Sequence, residues 1–327
     1  MKILIYCGYQ QDKWTSLNLA DSNLGGSEKC TLELFHRLKN EDHDVLLVGH
    51  GIGDTDEGSM DYTTFEQTRQ GDHFDVVIAV NYAHYLLELE HIITFGASYF
   101  WLHNEEPFSY YRGDIMNVPE DIYYDNRLTK VICVSEVACN TMIERLPEDI
   151  AYKIDWIPNG IDSSLIHTVG EKVDNSYIYS SCPSRGLSEA LDVFNRMCEI
   201  FDDSTLHICY PAYAEESLLF HEERIEEIRS VHGYGCIVVH GALPQSKLYE
   251  LMSDCKYWLY PSDYNETFCI TALEMMAHRV FPLTCPAGNV VNLVTNNNGT
   301  SLPYNENRDG LVMSFFKSIV WHKQDPD

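Results

Sequence analysis

Cations are scarce in this chain. Its 327 residues carry 22 Lys plus Arg against 50 Asp plus Glu, a formal charge of −28. Phosphate contacts need clustered Lys and Arg, so the balance argues against nucleic acid as a partner. It argues equally against broad docking on anionic lipid. No run approaches 18 consecutive apolar residues, so no membrane span is expected. The opening Met1-Lys2-Ile3-Leu4-Ile5-Tyr6-Cys7-Gly8 has too short an apolar stretch for a signal peptide, and no small-residue cleavage site follows it. Gly-x-Ser-x-Gly, a Walker loop and His-Glu-x-x-His are all missing. The eleven cysteines are odd in number and include no Cys-x-x-Cys pair. Cys7, Cys133 and Cys209 fall inside predicted strands. This fits reduced thiols in a cytoplasmic protein better than a disulfide framework or a zinc site.

What is present is enough apolar material, 45% of residues, for two cores. Short runs rich in Val, Ile and Tyr alternate with helical patterns. Strands are predicted over 2–9, 44–48, 75–80, 98–103, 130–134 and 153–157, with helices near 27–40, 84–91, 120–128 and 136–146. Such alternation means βαβ units and a parallel sheet. Residues 51–61 read as a polar, acidic loop. Pro158-Asn159-Gly160 is a strong turn signal, and a polar stretch follows. The boundary is placed there, giving domains 1–160 and 161–327. The alternation then restarts: strands at 176–181, 205–210, 236–240, 256–260 and 280–284, helices at 187–200, 215–231, 245–255 and 267–278. A short segment to 327 closes the chain. The expected fold class is α/β, with two doubly wound, Rossmann-like domains facing across a cleft. Ligands in such sheets bind beyond the carboxyl ends of strands.

The sharpest local signal runs from Pro261-Ser262-Asp263-Tyr264-Asn265-Glu266-Thr267-Phe268 to Glu274. It begins where a strand should end and enters a helix, whose free N–H groups and positive end suit a phosphate. Thr267 is the expected N-cap. Glu266 would precede the helix, and Glu274 would lie roughly 12 Å further along at 1.5 Å per residue. Two carboxylates so spaced suit hydroxyl pairs on different parts of one extended ligand. An acid at a helix start and a second, solvent-facing acid is the plainer reading of the same pair.

Asn265-Glu266-Thr267-Phe268…Glu274 resembles the Glu-x7-Glu motif of the retaining glycosyltransferases of family 4, which have the GT-B fold. Three further stretches resemble that family in the same order. These are Gly25-Gly26-Ser27-Glu28, the linker Ile157-Pro158-Asn159-Gly160-Ile161-Asp162, and the phosphate loop Ser180-Ser181-Cys182-Pro183-Ser184-Arg185-Gly186-Leu187. Together they span roughly residues 1–305. The resemblance implies that Glu274 holds the nucleotide ribose and Glu266 the donor sugar. The backbone of Thr267 and Phe268 would lie against the diphosphate, and Arg185, with Ser184 beside it, would contact it. Gly25 and Gly26 would allow close backbone approach, and His103 at a strand end would reach the sugar. A tight turn, a surface arginine and a loop histidine are the structural alternatives for those residues. Glu105 and Glu106 read as a solvated loop, and Lys29 as a solvated lysine.

Three features depart from the family pattern. The phosphate loop usually pairs an arginine with a later Lys-Gly, and only Arg185-Gly186 stands here; Lys247 is the substitute candidate. Cys269 occupies a place often held by glycine. Residues 311–321 are a short counterpart of a terminal helix that often packs back on the first domain. Asp54-Thr55-Asp56 has the Asp-x-Asp pattern that binds metal elsewhere, but it sits in the acidic loop, so no metal site is expected. The expected activity is metal-independent, retaining transfer of a UDP- or GDP-linked sugar to a glycan or protein, with the nucleotide sugar as co-substrate and no cofactor. An epimerase or phosphorylase of the same fold, or a non-catalytic nucleotide-sugar or glycan-binding protein, are the alternatives.

Overall fold

A computed structural model describes residues 1–18, 24–106, 110–111, 114–115, 120–166 and 170–324. Two compact units part between Asn159 and Gly160. The first contains β1 (Lys2–Trp14), α1 (Gly26–Asn40), β2 (Asp44–Ile52), β3 (Ser59–Asp61), α2 (Tyr62–Thr68), β4 (His73–Val80), α3 (Tyr85–Leu89) and β5 (Thr94–Leu102). It continues with the short antiparallel pair β6 (Tyr110–Tyr111) and β7 (Asp114–Ile115), then β8 (Leu128–Cys133), α4 (Glu136–Arg145) and β9 (Ile154–Trp156). Its main sheet is parallel, in the order β3-β2-β1-β4-β5-β8-β9.

The second unit contains β10 (Ser176–Ser180), α5 (Leu187–Cys198), β11 (Thr205–Cys209), α6 (Glu215–Leu219), α7 (Glu222–His232), β12 (Ile237–Gly241) and α8 (Gln245–Asp254). Then follow β13 (Tyr257–Tyr260), α9 (Ile270–Ala277), β14 (Phe281–Thr284), α10 (Val290–Leu293), β15 (Thr300–Ser301) and α11 (Arg308–Gln324). The parallel order is β12-β11-β10-β13-β14-β15. The connection from β10 runs outward to β11, whereas β13 lies on its other flank. That reversal makes the carboxyl ends of β10 and β13 a switch point, where loops diverge and leave a crevice.

The central strands follow from their sequences. Tyr177, Ile178 and Tyr179 of β10 and all four residues of β13 are buried, as a strand covered on both faces requires. Tyr177 stacks on Tyr257 across the ladder at 5.4 Å. The stripe Leu187, Ala190, Leu191, Phe194 and Met197 on α5 closes that core.

Several expected elements are corrected. Residues 120–128 form only a 3-10 turn over Glu120–Tyr124, because the Asp125 carboxylate accepts from the Arg127 amide (2.8 Å), an Asx turn that sends the chain into β8. The charged helix expected over 215–231 is two helices. It breaks at Phe220 and His221, and Glu222 and Glu223 open the second where acids meet a positive helix end. The loop 51–61 contains the edge strand β3, and Asp54 braces it by accepting from the Asp61 amide (2.7 Å) and Thr64 Oγ1 (2.9 Å). The segment 311–321 belongs to the longer α11, whose Leu311, Phe315 and Ile319 enter the core of the second unit; Arg308 ties it to Asp192 on α5 (2.5 Å). No helix among the described residues is long and apolar enough to cross a membrane. All eleven cysteines are free thiols, nine of them buried.

Candidate functional site

Two loops leave the switch point of the second unit: residues 181–186 after β10 and 261–269 after β13. They touch because position 186 is glycine. Its φ is +92°, and a Cβ there would lie 2.7 Å from the Pro261 carbonyl oxygen. This contact brings Arg185 to Glu266, with Nη1 donating to Oε1 at 3.2 Å. The guanidinium lies over the Tyr264 ring, 3.7 Å from its centroid. The Tyr260 hydroxyl, at the end of β13, also donates to Glu266 Oε1 (2.5 Å). Thus Oε1 carries two bonds, while Oε2 receives none from the described residues.

The charges are set by this contact. Burial is the largest influence and works against the Arg185 cation, but Glu266, with Tyr264, Tyr260 and Tyr213 adding to it, more than offsets it, and the pKa rises above the ordinary arginine value. Burial first, and Glu266 second, push the Tyr260 phenol well up, so it stays a donor. A third loop fixes the Glu266 backbone. The Asn289 amide donates to the Glu266 carbonyl (2.7 Å) and Asn289 Nδ2 to that of Phe268 (3.2 Å).

The helix after this loop starts later than expected. Its N-cap is Cys269, at φ +70° and with no side-chain cap bond, and α9 begins at Ile270. Thr267 is therefore not the N-cap: the left-handed turn at Cys269 delays the helix by three residues. The same turn explains why glycine suits position 269. Glu274 does not face solvent. It is 7% exposed, and its Oε1 accepts from Gln245 Nε2 (2.6 Å) and the Tyr249 hydroxyl (3.0 Å), both on α8. Its Oε2, like that of Glu266, takes no hydrogen bond from the described residues. Ser184 is exposed, its Oγ 3.1 Å from Cys182 Sγ. Lys247 is exposed as well, with Nζ 2.8 Å from Glu250.

The remaining candidates lie in the first unit. His103 follows β5, and its amide donates to Asn81 Oδ1 (2.6 Å), as does that of Asn104 (3.3 Å). The imidazole is buried beside the Trp101 ring (4.2 Å), and burial lowers its pKa to about 3, so it is neutral at pH 7. An unfolded histidine takes up a proton near pH 6.5, and this one does not until far lower. The unfolded state therefore binds more protons between those values, and stability falls as pH drops through that window. Urea unfolding at pH 7 and pH 5 should show His103→Gln losing less stability than the wild type; equal losses would contradict the neutral assignment. Glu105 and Glu106 are both held by Arg145 at the end of α4 (2.5 and 3.3 Å). Gly25 is the N-cap residue of α1, Gly26 its first residue, and the Lys29 amide donates to the Gly25 carbonyl (3.1 Å).

The sequence reading passed over Tyr260, Tyr264, Gln245, Tyr249 and Asn289 as site residues. Tyr264 stands inside the stretch already singled out, and Tyr260 immediately precedes it. The other three are remote in sequence and carry no motif.

Residues 183–314 match the family model described as glycosyl transferases group 1. A sequence search finds no match among curated proteins. Among solved structures, Anabaena HepE in complex with UDP is similar over 99% of this chain and 91% of its own, at 15% identity and a TM-score of 0.65. A glycosyltransferase from Rickettsia africae is similar over 98% of this chain and 89% of its own, at 16% identity and a TM-score of 0.66. The lipopolysaccharide outer core galactosyltransferase WaaB, in its apo form, is 13% identical over 98% of this chain and 91% of its own, with a TM-score of 0.60. The fold is that of the GT-B glycosyltransferases.

Proposed function

We propose that this chain is a retaining glycosyltransferase of family 4 that moves a sugar from a UDP- or GDP-linked donor to a glycan or protein acceptor without a metal. One observation carries the reading: Glu266, paired with Arg185 at the switch point, and Glu274, on the helix that follows, each have one carboxylate oxygen locked by protein donors and the other without a bond from the described residues. A carboxylate oriented in this way awaits hydroxyl donors. The group 1 match over residues 183–314 and the UDP held by HepE support a nucleotide sugar as their source.

In this reading Glu274 holds the ribose, Glu266 the donor sugar, and the backbone of Thr267 and Phe268 lies along the diphosphate, with Ser184 nearby. As the anomeric C–O bond breaks, charge grows on the diphosphate. Arg185 meets it with the N–H groups that Glu266 leaves unused, since a guanidinium has five. The acceptor oxygen bonds to the same face of the sugar, and its proton passes to a leaving phosphate oxygen, so no protein nucleophile takes part. For the first unit we assign the neutral His103 to the sugar being transferred and Gly25-Gly26 to close backbone approach. Asp54 is engaged in bracing its own loop, which supports transfer without metal at that motif. The free thiols support a reducing, cytoplasmic location.

Calorimetric titration with UDP- and GDP-sugars, no metal added, tests the reading. One donor should saturate the protein, and Glu274→Ala should weaken it roughly tenfold or more, the cost of leaving ligand hydroxyls unpaired in a buried site. Absence of binding by every donor would overturn it. A second reading, a non-catalytic nucleotide-sugar-binding protein, draws on Arg185 and Lys247 both being already paired with acids. Saturable binding with no product from any acceptor would favour it.

A further inference from the structure

We infer that Gln245 and Tyr249 are positioning residues that set Glu274 as a detector of ribose hydroxyls, so that discrimination between ribose and its hydroxyl-free form resides in α8 as much as in the acid itself. The inference rests on the nucleotide reading of the second unit.

Glu274 is the one charged residue of α9 and is more than nine-tenths buried. A buried carboxylate is costly unless its lone pairs are met. No Lys, Arg or His among the described residues pairs with its carboxylate, and the only side-chain donors to it among them are the neutral amide of Gln245 and the neutral hydroxyl of Tyr249. Both donors converge on Oε1. They lie at i and i+4 of α8, on one helix face, and therefore move as a unit. Tyr249 is in turn seated by His278, whose ring centroid is 4.6 Å away and which is fully buried. His278 Nδ1 lies 2.8 Å from the Glu274 carbonyl oxygen. Side chain and backbone of Glu274 are thus tied to one cluster.

The consequence is directional. A carboxylate accepts up to about four hydrogen bonds, and the two spent here fall on the same oxygen. Rotating the group would break both, so Oε2 is held as the open acceptor. Its unmet demand calls for neutral donors fixed in place, which a vicinal diol supplies. A ligand lacking that diol covers Oε2 without giving it a donor, and this penalty, not lost contact area, produces the discrimination. Removing the α8 donors frees the carboxylate to turn, and the penalty for a missing diol shrinks.

The test is calorimetry with UDP, GDP and ADP and their 2′,3′-dideoxy forms, on the wild type, Tyr249→Phe, Gln245→Met and the double variant. Both substitutions keep side-chain bulk, and Tyr249→Phe keeps the ring on His278. The wild type should prefer the ribose form of its nucleotide by roughly 10–100-fold. The double variant should bind the dideoxy form about as the wild type does, while the preference falls to about threefold or less. Retention of the wild-type preference by the double variant would overturn the inference and leave the nucleotide reading intact. Equal weakening toward both forms would also overturn it, since a merely structural role has that signature. A wild type that binds none of the nucleotides would remove the nucleotide reading itself, and this inference with it.

Discussion

Arg185→Ala is expected to lower turnover by roughly 10²–10³ while changing the donor KM only a few-fold, the loss found when one preorganised group that meets developing charge is removed. The geometry gives the reason. The guanidinium is held between the Tyr264 ring and Glu266 Oε1, so its direction is fixed before any ligand arrives. A preoriented cation costs no reorganisation when charge develops on a leaving diphosphate. The substitution should not unfold the unit, because Glu266 keeps its bond from Tyr260 and its backbone keeps the bond from Asn289. Arg185→Lys should restore less than about tenfold, since an ammonium is a point charge that can neither fork between two acceptors nor stack flat on Tyr264. Steady-state kinetics with circular dichroism as the folding control decides it. A turnover for Arg185→Ala within threefold of wild type would remove Arg185 from the chemistry.

The parts of this molecule legible in the sequence are those written in contiguous residues. β10 and β13 are short apolar runs because both faces of a central parallel strand are covered, and Tyr177 and Tyr257 could not sit elsewhere. The stretch from Pro261 to Glu274 likewise marks a strand end turning into a helix. Weakly patterned elements went unread: α2 buries only Tyr62 and Phe65, too few for a helical period to show, and β15 is two residues long. Helix starts were misplaced where a backbone conformation overrode composition. The left-handed Cys269 pushes α9 past the threonine that looks like its cap. The support around the site was hidden for a different reason. Gln245 and Tyr249 stand 29 and 25 residues from Glu274, and Asn289 stands 23 from the Glu266 it braces. Only the sheet order brings these residues together, and no local spacing encodes it.

That remote brace supplies a test independent of any charged residue. Gly288→Ala is expected to cost roughly 2–4 kcal/mol of stability and about 10² in turnover. Gly288 has φ +56°, where a side chain alone costs about 1–2 kcal/mol. The space is worse than the dihedral: an added Cβ would lie 2.2 Å from the Glu266 carbonyl oxygen and 2.5 Å from its amide nitrogen. Both are backbone atoms, so no flexible side-chain end can yield. Either the loop around 288 or the Glu266 peptide must shift. The hydrogen bonds from Asn289 to Glu266 and Phe268 are lost with the shift, and the carboxylate moves off the position set by Arg185 and Tyr260. Gly170→Ala is the control, since nothing lies within 4 Å of a Cβ there and its φ is not positive. Urea unfolding and kcat, measured together, separate the two effects. If Gly288→Ala matches the control to within about 0.5 kcal/mol and keeps its turnover, Glu266 is not held by this loop, and its position must be set by Tyr260 and Arg185 alone.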